Sequence, residues 1–202
     1  MNIRRIEKKD FKEVENVIRE AFWNVYMPGC DEHLIIHKLK DDKCFVNDLS
    51  LVIEEDNKII GAIFYALGKL KNEDKEKDVL FFGPIGVLPN YQGLEYGATL
   101  IHESLKLAKE KGYPFVVITG NPDYYHRFGF ESCSKYHIYL EGMDKNDEAS
   151  FFMIRVFNKE ELNEYKGVYY DPEIYKVDEN ELIEFEKNFP YKEKLVLEGQ
   201  FR

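Results

Sequence analysis

The chain has 202 residues, 44% of them hydrophobic and 33% charged, with 15 Phe, 14 Tyr and a formal net charge of −10. That length and mixture suit one folded α/β domain with a sizeable core and exclude a disordered or fibrous chain. A uniformly acidic protein repels phosphate backbones and anionic lipid, so neither nucleic acid nor a membrane is an expected partner, although a few local donors can still hold a polyanionic cofactor.

Residues 2–6 read as a short strand, with no apolar signal core before them. No later stretch approaches membrane-spanning length, so the expected location is cytoplasmic. Asp10 is placed to cap a helix over 11–22, in which Phe11, Val14, Val17, Ile18, Ala21 and Phe22 form one apolar stripe. After a break at Pro28-Gly29, residues 31–39 are again helical in pattern. Two apolar runs, 49–54 and 59–67, flank Asp56-Asn57-Lys58 and predict a hairpin. The charged run 69–78 predicts a solvated loop. Cys30, Cys44 and Cys133 are scattered without a CxxC pair. They predict small buried hydrophobes, not a disulfide framework or a zinc site.

From Val79 to Pro89 the chain is almost wholly apolar, as a strand buried on both faces would be. Gly83, Pro84 and Gly86 forbid a regular ladder there and predict a bulge or splay. A turn at Asn90-Tyr91-Gln92-Gly93 leads into an amphipathic helix over about 96–111, stopped by Gly112. Residues 115–120 form a second buried strand, and a short helix runs from Asn121-Pro122 to Gly129. Strand, helix, strand and helix in this order predict a parallel pair inside a mixed sheet. Strands are expected at 136–140 and 151–157, and a last helix at 179–188.

Two units carry chemistry. In the first, small residues (Gly93, Gly97, Ala98) stand at a helix N-terminus, where unpaired amides and the helix dipole favour an anion. The second is Gly120-Asn121-Pro122-Asp123-Tyr124-Tyr125-His126-Arg127-Phe128-Gly129-Phe130. Taken alone, its aromatics read as core and Gly129 as a helix C-cap. Together, in this order and at this distance, the two units resemble the GCN5-related N-acetyltransferase (GNAT) superfamily, in its bacterial small-molecule branch. The likeness spans roughly residues 2–157 and is strongest over 82–131.

The resemblance implies an α/β (α+β) fold: a mixed, mostly antiparallel central sheet with a splayed parallel strand pair and helices on both faces. It implies an acetyltransferase domain over 1–157 and an extension over 158–202 packed on it, which would cap the sheet edge or form a dimer contact, leaving a homodimer open. It implies acetyl-CoA as cosubstrate and a small-molecule primary amine as acceptor. Ile85, Gly86 and Val87 would offer backbone groups to the acetyl carbonyl and the pantetheine. The loop Gln92, Gly93, Leu94, Glu95, Tyr96, Gly97 and Ala98 would cradle the pyrophosphate, and Asn121 would meet the pantetheine. Tyr125 matches the tyrosine that protonates the departing thiolate.

Glu95 departs from the family pattern, standing where the loop usually has a glycine. It would point outward as a first-turn acid, or else mark a catalytically weak module that binds or senses coenzyme A. A protein or peptide N-acetyltransferase is a further alternative. Glu20, Asp31, Glu32 and His33 lie in the helical region that roofs the acceptor pocket in this family, and Trp23 and Tyr26 are placed to line it or to pack. His33 and His37 have i, i+4 spacing but no third ligand, so no metal site is expected. His126 is a neighbour of Tyr125, but adjacent helical residues point about 100° apart.

Overall fold

The structure is a computed structural model, which describes residues 1–73 and 75–200. Its elements in chain order are β1 (Asn2–Arg5), α1 (Phe11–Phe22), α2 (Glu32–Leu39), β2 (Leu51–Glu55), β3 (Lys58–Lys71) and β4 (Glu76–Val87). Then come α3 (Tyr96–Glu110), β5 (Phe115–Thr119), α4 (Pro122–Tyr125), β6 (Glu131–Ser132), β7 (Ile138–Leu140) and β8 (Phe152–Val156). Last are α5 (Lys159–Leu162), β9 (Gly167–Tyr170) and α6 (Glu179–Glu186).

Successive strand residues face opposite sides of a sheet, and in β2 and β3 both sets are apolar, so this sheet is covered twice. Leu51, Ile53, Ile63 and Tyr65 pack with α3 through Leu100, Ile101, Leu105 and Ala108. Val52, Ala62, Phe64 and Ala66 face the stripe on α1 and α2 formed by Phe11, Val14, Val17, Ile18, Ile36 and Leu39. Each Val, Leu, Ile or Phe among them contributes about 1.5–3 kcal/mol when fully buried, so the two faces hold α1 and α3 in fixed positions. The strand order is β1-β2-β3-β4-β5-β8-β6. Every neighbouring pair on that path is antiparallel except β4 and β5, the parallel pair joined through α3.

Two expectations need correction, and one strand pairing is new. The run 69–78 is mostly strand, because β3 and β4 continue past one another with Lys69 opposite Asp78 and Lys71 opposite Glu76. Its charges form a cross-strand ladder, with Lys69 Nζ 2.7 Å from Asp78 Oδ1 and Lys71 Nζ 3.1 Å from Glu76 Oε2. Opposite charges facing across a ladder support it, and Leu70 within the run is buried. Asp74, within that run, and the last two residues of the chain lie outside the described residues. Asp10 occupies the N-cap position of α1, but its carboxylate accepts from Arg4 Nη1 (2.6 Å) and the Glu7 amide (2.8 Å) instead of capping. Finally, β9 pairs antiparallel with the end of β3 and parallel with β7, a second parallel pair that no periodicity announced. Cys30 and Cys133 are buried free thiols, while Cys44 is half-buried.

Candidate active site

The site begins where β4 and β5 part. They share a single parallel register pair, Phe81 with Val117. Pro84 has no N–H for a ladder, and the register between β3 and β4 shifts between Ile63 and Tyr65. Tyr175, from the segment between β9 and α6, donates its hydroxyl to the Gly83 carbonyl at 2.5 Å. Beyond this point β5 pairs only with β8, and a wedge opens between β4 and β5. Leu88 N–H donates to Ile60 O at 2.8 Å, which sets the phase of the β3–β4 ladder. By alternation, the Gly86 polar groups face Ala62 on β3, whereas those of Ile85 and Val87 face the wedge. Gly86 serves by being small: a Cβ there would lie 2.9 Å from Ile18 Cδ1 and 3.0 Å from Ala21 Cβ on α1.

The loop after β4 is shaped by its own contacts. Gln92 Nε2 donates to Val87 O at 2.9 Å, so its side chain braces the strand end at the edge of the cleft. Gly93 has φ +75° with nothing within 4 Å of its missing Cβ, an open floor. Leu94 is 61% exposed and lies outside the residues that line the cleft. Glu95 is the N-cap of α3 and sits in the left-handed region at φ 62°. A glycine is the relaxed residue there, and a side chain costs about 1 kcal/mol or more. Thr99 N–H and Oγ1 both bond Glu95 O, at 2.9 and 2.8 Å. The preceding amides of Tyr96, Gly97 and Ala98 are therefore left without intrahelical acceptors. Glu95 is neither a first-turn acid nor isolated, since Arg127 Nη1 lies 3.9 Å from its Oε1. The Arg127 guanidinium also stacks on Tyr124, 4.4 Å from the ring centroid, and is the one cation lining the cleft among the described residues.

The opposite wall follows β5. Asn121 Oδ1 accepts from the Asp123 amide at 2.9 Å and caps α4, and Pro122 occupies the first helical position. This fold of the chain lays Tyr125 across Gly120: a Cβ on Gly120 would stand 2.4 Å from Tyr125 Cε2. Phe82, Phe130 and Tyr124 surround the ring, with centroids 6.0, 5.9 and 5.0 Å away. Burial pushes the Tyr125 phenol up, with Tyr124 and Tyr26 adding to the shift, so it stays protonated at neutral pH.

These elements enclose a cleft of about 400 Å³. Of the residues singled out from the sequence, it collects Ile85, Gly86, Val87, Gln92, Gly93, Glu95, Tyr96, Gly97, Ala98, Asn121 and Tyr125, and with them Tyr26. Tyr91, Tyr124 and Arg127 also line it and were not singled out for it in the sequence. The i, i+3 spacing of Tyr124 and Arg127, which puts them on one helix face, was the available signal. His126 is outside the lining.

Tyr26 comes from the loop between α1 and α2, and its phenol is raised by burial and by the Glu32 carboxylate. Glu32 itself is pushed up to about 7, by burial first and then by Asp31. The other candidates from this region have different partners. Glu20 pairs with Lys192 at 2.8 Å, and Trp23 Nε1 donates to Glu193 O. His33 is fully buried with Nε2 2.5 Å from Glu186 Oε1, and burial lowers it to about 4. His37 Nδ1 is 2.9 Å from Glu15 Oε1.

A sequence profile of the acetyltransferase (GNAT) domain matches residues 2–133. The uncharacterized N-acetyltransferase YjhQ of Escherichia coli K12 is 27% identical over 128 residues, which cover 63% of this chain and 68% of YjhQ. The uncharacterized N-acetyltransferase YhbS of the same strain is 27% identical over 107 residues, 53% of this chain and 62% of its own length. The crystal structure of E. coli YhbS in complex with CoA superposes with a TM-score of 0.74 at 22% identity, over 87% of this chain and 92% of that one. A GNAT family acetyltransferase from Brucella melitensis in complex with acetyl-CoA gives 0.70 at 26% identity, over 87% and 97%. Among the described residues, no helix is long and apolar enough to cross a membrane.

Proposed function

The chain belongs to the GNAT acetyltransferase family, and from that premise we propose that it moves an acetyl group from acetyl-coenzyme A to a primary amine of a small molecule. The observation that carries this reading is the meeting, in one cleft, of unpaired helix N-terminal amides with a phenol held protonated by burial. The coenzyme A and acetyl-CoA bound by the two structural relatives support it.

The residues present fit such a cosubstrate. The amides of residues 96–98 and the Arg127 guanidinium would hold the pyrophosphate. The wedge-facing main-chain groups of Ile85 and Val87, with Asn121 opposite, would hold the pantetheine and polarise the thioester carbonyl. The amine nitrogen forms its bond to the acetyl carbon as the carbon–sulfur bond breaks. Tyr125 gives its proton to the departing sulfur. Glu32, a neighbour of Tyr26 that stands outside the cleft lining, would take the amine proton through water. The aromatic rim of Tyr26, Tyr124 and Tyr125 supports a small acceptor. Glu95 weakens the cradle, but Arg127 offsets its charge, which favours an enzyme over a bare sensor.

Two measurements test this. Titration calorimetry should detect coenzyme A binding to the purified protein, and its absence would remove the reading. Tyr125→Phe should lower thiol release from acetyl-CoA about a hundredfold while coenzyme A affinity stays within about twofold.

A further inference from the structure

The loop that brings Tyr26 to the cleft is tied to a segment about 170 residues away, a separation of 169 for its Asn24–Glu193 bond. Residues 190–200 run past it without helix or strand. Trp23 Nε1 and Asn24 Nδ2 both donate to Glu193 O, at 2.9 and 3.0 Å. Asn24 Oδ1 accepts from the Leu195 amide at 3.0 Å and from the Gly29 amide at 2.8 Å. Gln200 Nε2 donates to Asn24 O at 2.9 Å. Asn24 therefore bonds the two ends of its own loop to one another and both to the downstream segment. Its φ of 61° is a left-handed turn that Asn tolerates better than most residues.

The near end of this segment is anchored deeper. Arg19 is 1% exposed and donates from Nη2 to Glu186 Oε2 at 2.8 Å and to Pro190 O at 3.1 Å. Its guanidinium lies 4.2 Å from the Trp23 ring centroid. A buried guanidinium that lost these acceptors would be costly, so the segment is fixed at its start by charge and along its length by hydrogen bonds.

We propose that residues 190–200 form a strap that positions the acceptor side of the cleft, with Asn24 as the positioning residue through which the strap holds Tyr26 at the thioester end. The proposal rests on the acetyl-transfer reading above, but its signature is separate. Coenzyme A would be held at α3, whereas the hydrogen bonds of the strap reach α1 and the loop after it, so loosening the strap should spoil amine capture and leave cosubstrate binding intact.

The test uses the full chain carrying Asn24→Gly, which keeps the backbone conformation and removes the side-chain bonds. Asn24→Asp keeps the acceptor for Leu195 and Gly29 and loses the donor to Glu193. Gln200→Ala cuts one part-buried tie to the loop, at Asn24 O, and two bonds inside the strap, at Leu195 O and the Leu197 amide. Amide hydrogen exchange over 23–30, coenzyme A titration, and thiol release from acetyl-CoA with a panel of primary amines from putrescine to benzylamine are measured on each. In Asn24→Gly, exchange over 23–30 should rise about tenfold or more. The KM for the best amine should rise about tenfold while coenzyme A affinity stays within about twofold. Asn24→Asp should recover only part of both losses, since its second carboxylate oxygen faces the Glu193 carbonyl, and Gln200→Ala should show a weaker form of them. Unchanged exchange over 23–30 would overturn the proposal, as would a loosened loop with an unchanged amine KM, or a parallel loss of coenzyme A affinity. A parent protein that binds no coenzyme A sinks the acetyl-transfer reading instead, and the exchange data still decide whether the strap holds the loop.

Discussion

The two ends of the cleft are built by different means. At the proposed cosubstrate end, the bonds that set the loop and the start of α4 lie within a few residues of one another: Gln92 on Val87, Thr99 on Glu95, Asn121 on Asp123, with Tyr175 on Gly83 as the long-range tie beneath them. Its working groups are main-chain amides, and its small residues leave room for them. At the acceptor end, the loop carrying Tyr26 depends on side-chain bonds to a distant part of the chain. An anion cradle made of backbone tolerates drift in side-chain identity, whereas a pocket made of long-range side-chain ties can be retuned by changing any of them.

The sharpest way to break the comparison is Gly120→Ala. If the cosubstrate wall works through backbone room, a methyl 2.4 Å from Tyr125 Cε2 must push the ring away. Thiol release should then fall about a hundredfold or more, with coenzyme A affinity within about threefold. Turnover close to the parent value would show that the ring has another place to sit.

A smaller effect is expected at the acceptor end. Burial raises the Glu32 carboxyl in the folded state from 4.5 to about 7. A carboxyl with a raised folded pKa favours its protonated form, so the native state loses stability as pH climbs from about 4.5 through 7. Glu32→Gln removes that loss. Its thermal midpoint should match the parent near pH 4 and exceed it at pH 8, by a gain of up to about 3 kcal/mol at the linkage of 1.4 kcal/mol per pH decade. A difference that does not change with pH would mean Glu32 is fully hydrated.

The smallest effect is Glu95→Gly, which relieves the left-handed conformation at φ 62° and removes a carboxylate from the cradle. Stability should rise by up to about 1 kcal/mol, and coenzyme A should bind about threefold tighter, more so at low salt. Glu95→Gln separates the two causes, since it keeps the backbone strain and loses the charge.

This division also explains what could be read from the sequence. The paired strands around α3, the splay announced by Gly83 and Pro84, and the Gly120 to Phe130 segment were legible because local spacing encodes them. The structure adds the reasons, such as Gly120 leaving room for Tyr125. The left-handed turn at Glu95 was visible only as a departure from a pattern, since one sequence carries no dihedral angles. The charged run 69–78 was misread because charge density hid an alternation of opposite charges across a hairpin, with Leu70 buried inside it. β9 and the strap stayed hidden for a common reason: each gains its role from residues far along the chain, and periodicity reports only on neighbours. Arg127 carried a local signal, its i, i+3 spacing from Tyr124.

The Tyr175 hydroxyl on the Gly83 carbonyl joins residues 92 positions apart. During synthesis from the N-terminus, every residue lining the cleft has left the ribosome before the one that secures the point where its walls diverge. A nascent chain stalled short of residue 175 would carry the whole ligand motif without the clasp at its root. Cosubstrate capture in such a stalled chain would therefore report whether the motif or the clasp decides when the cleft is ready, before the strap of residues 190–200 has been made.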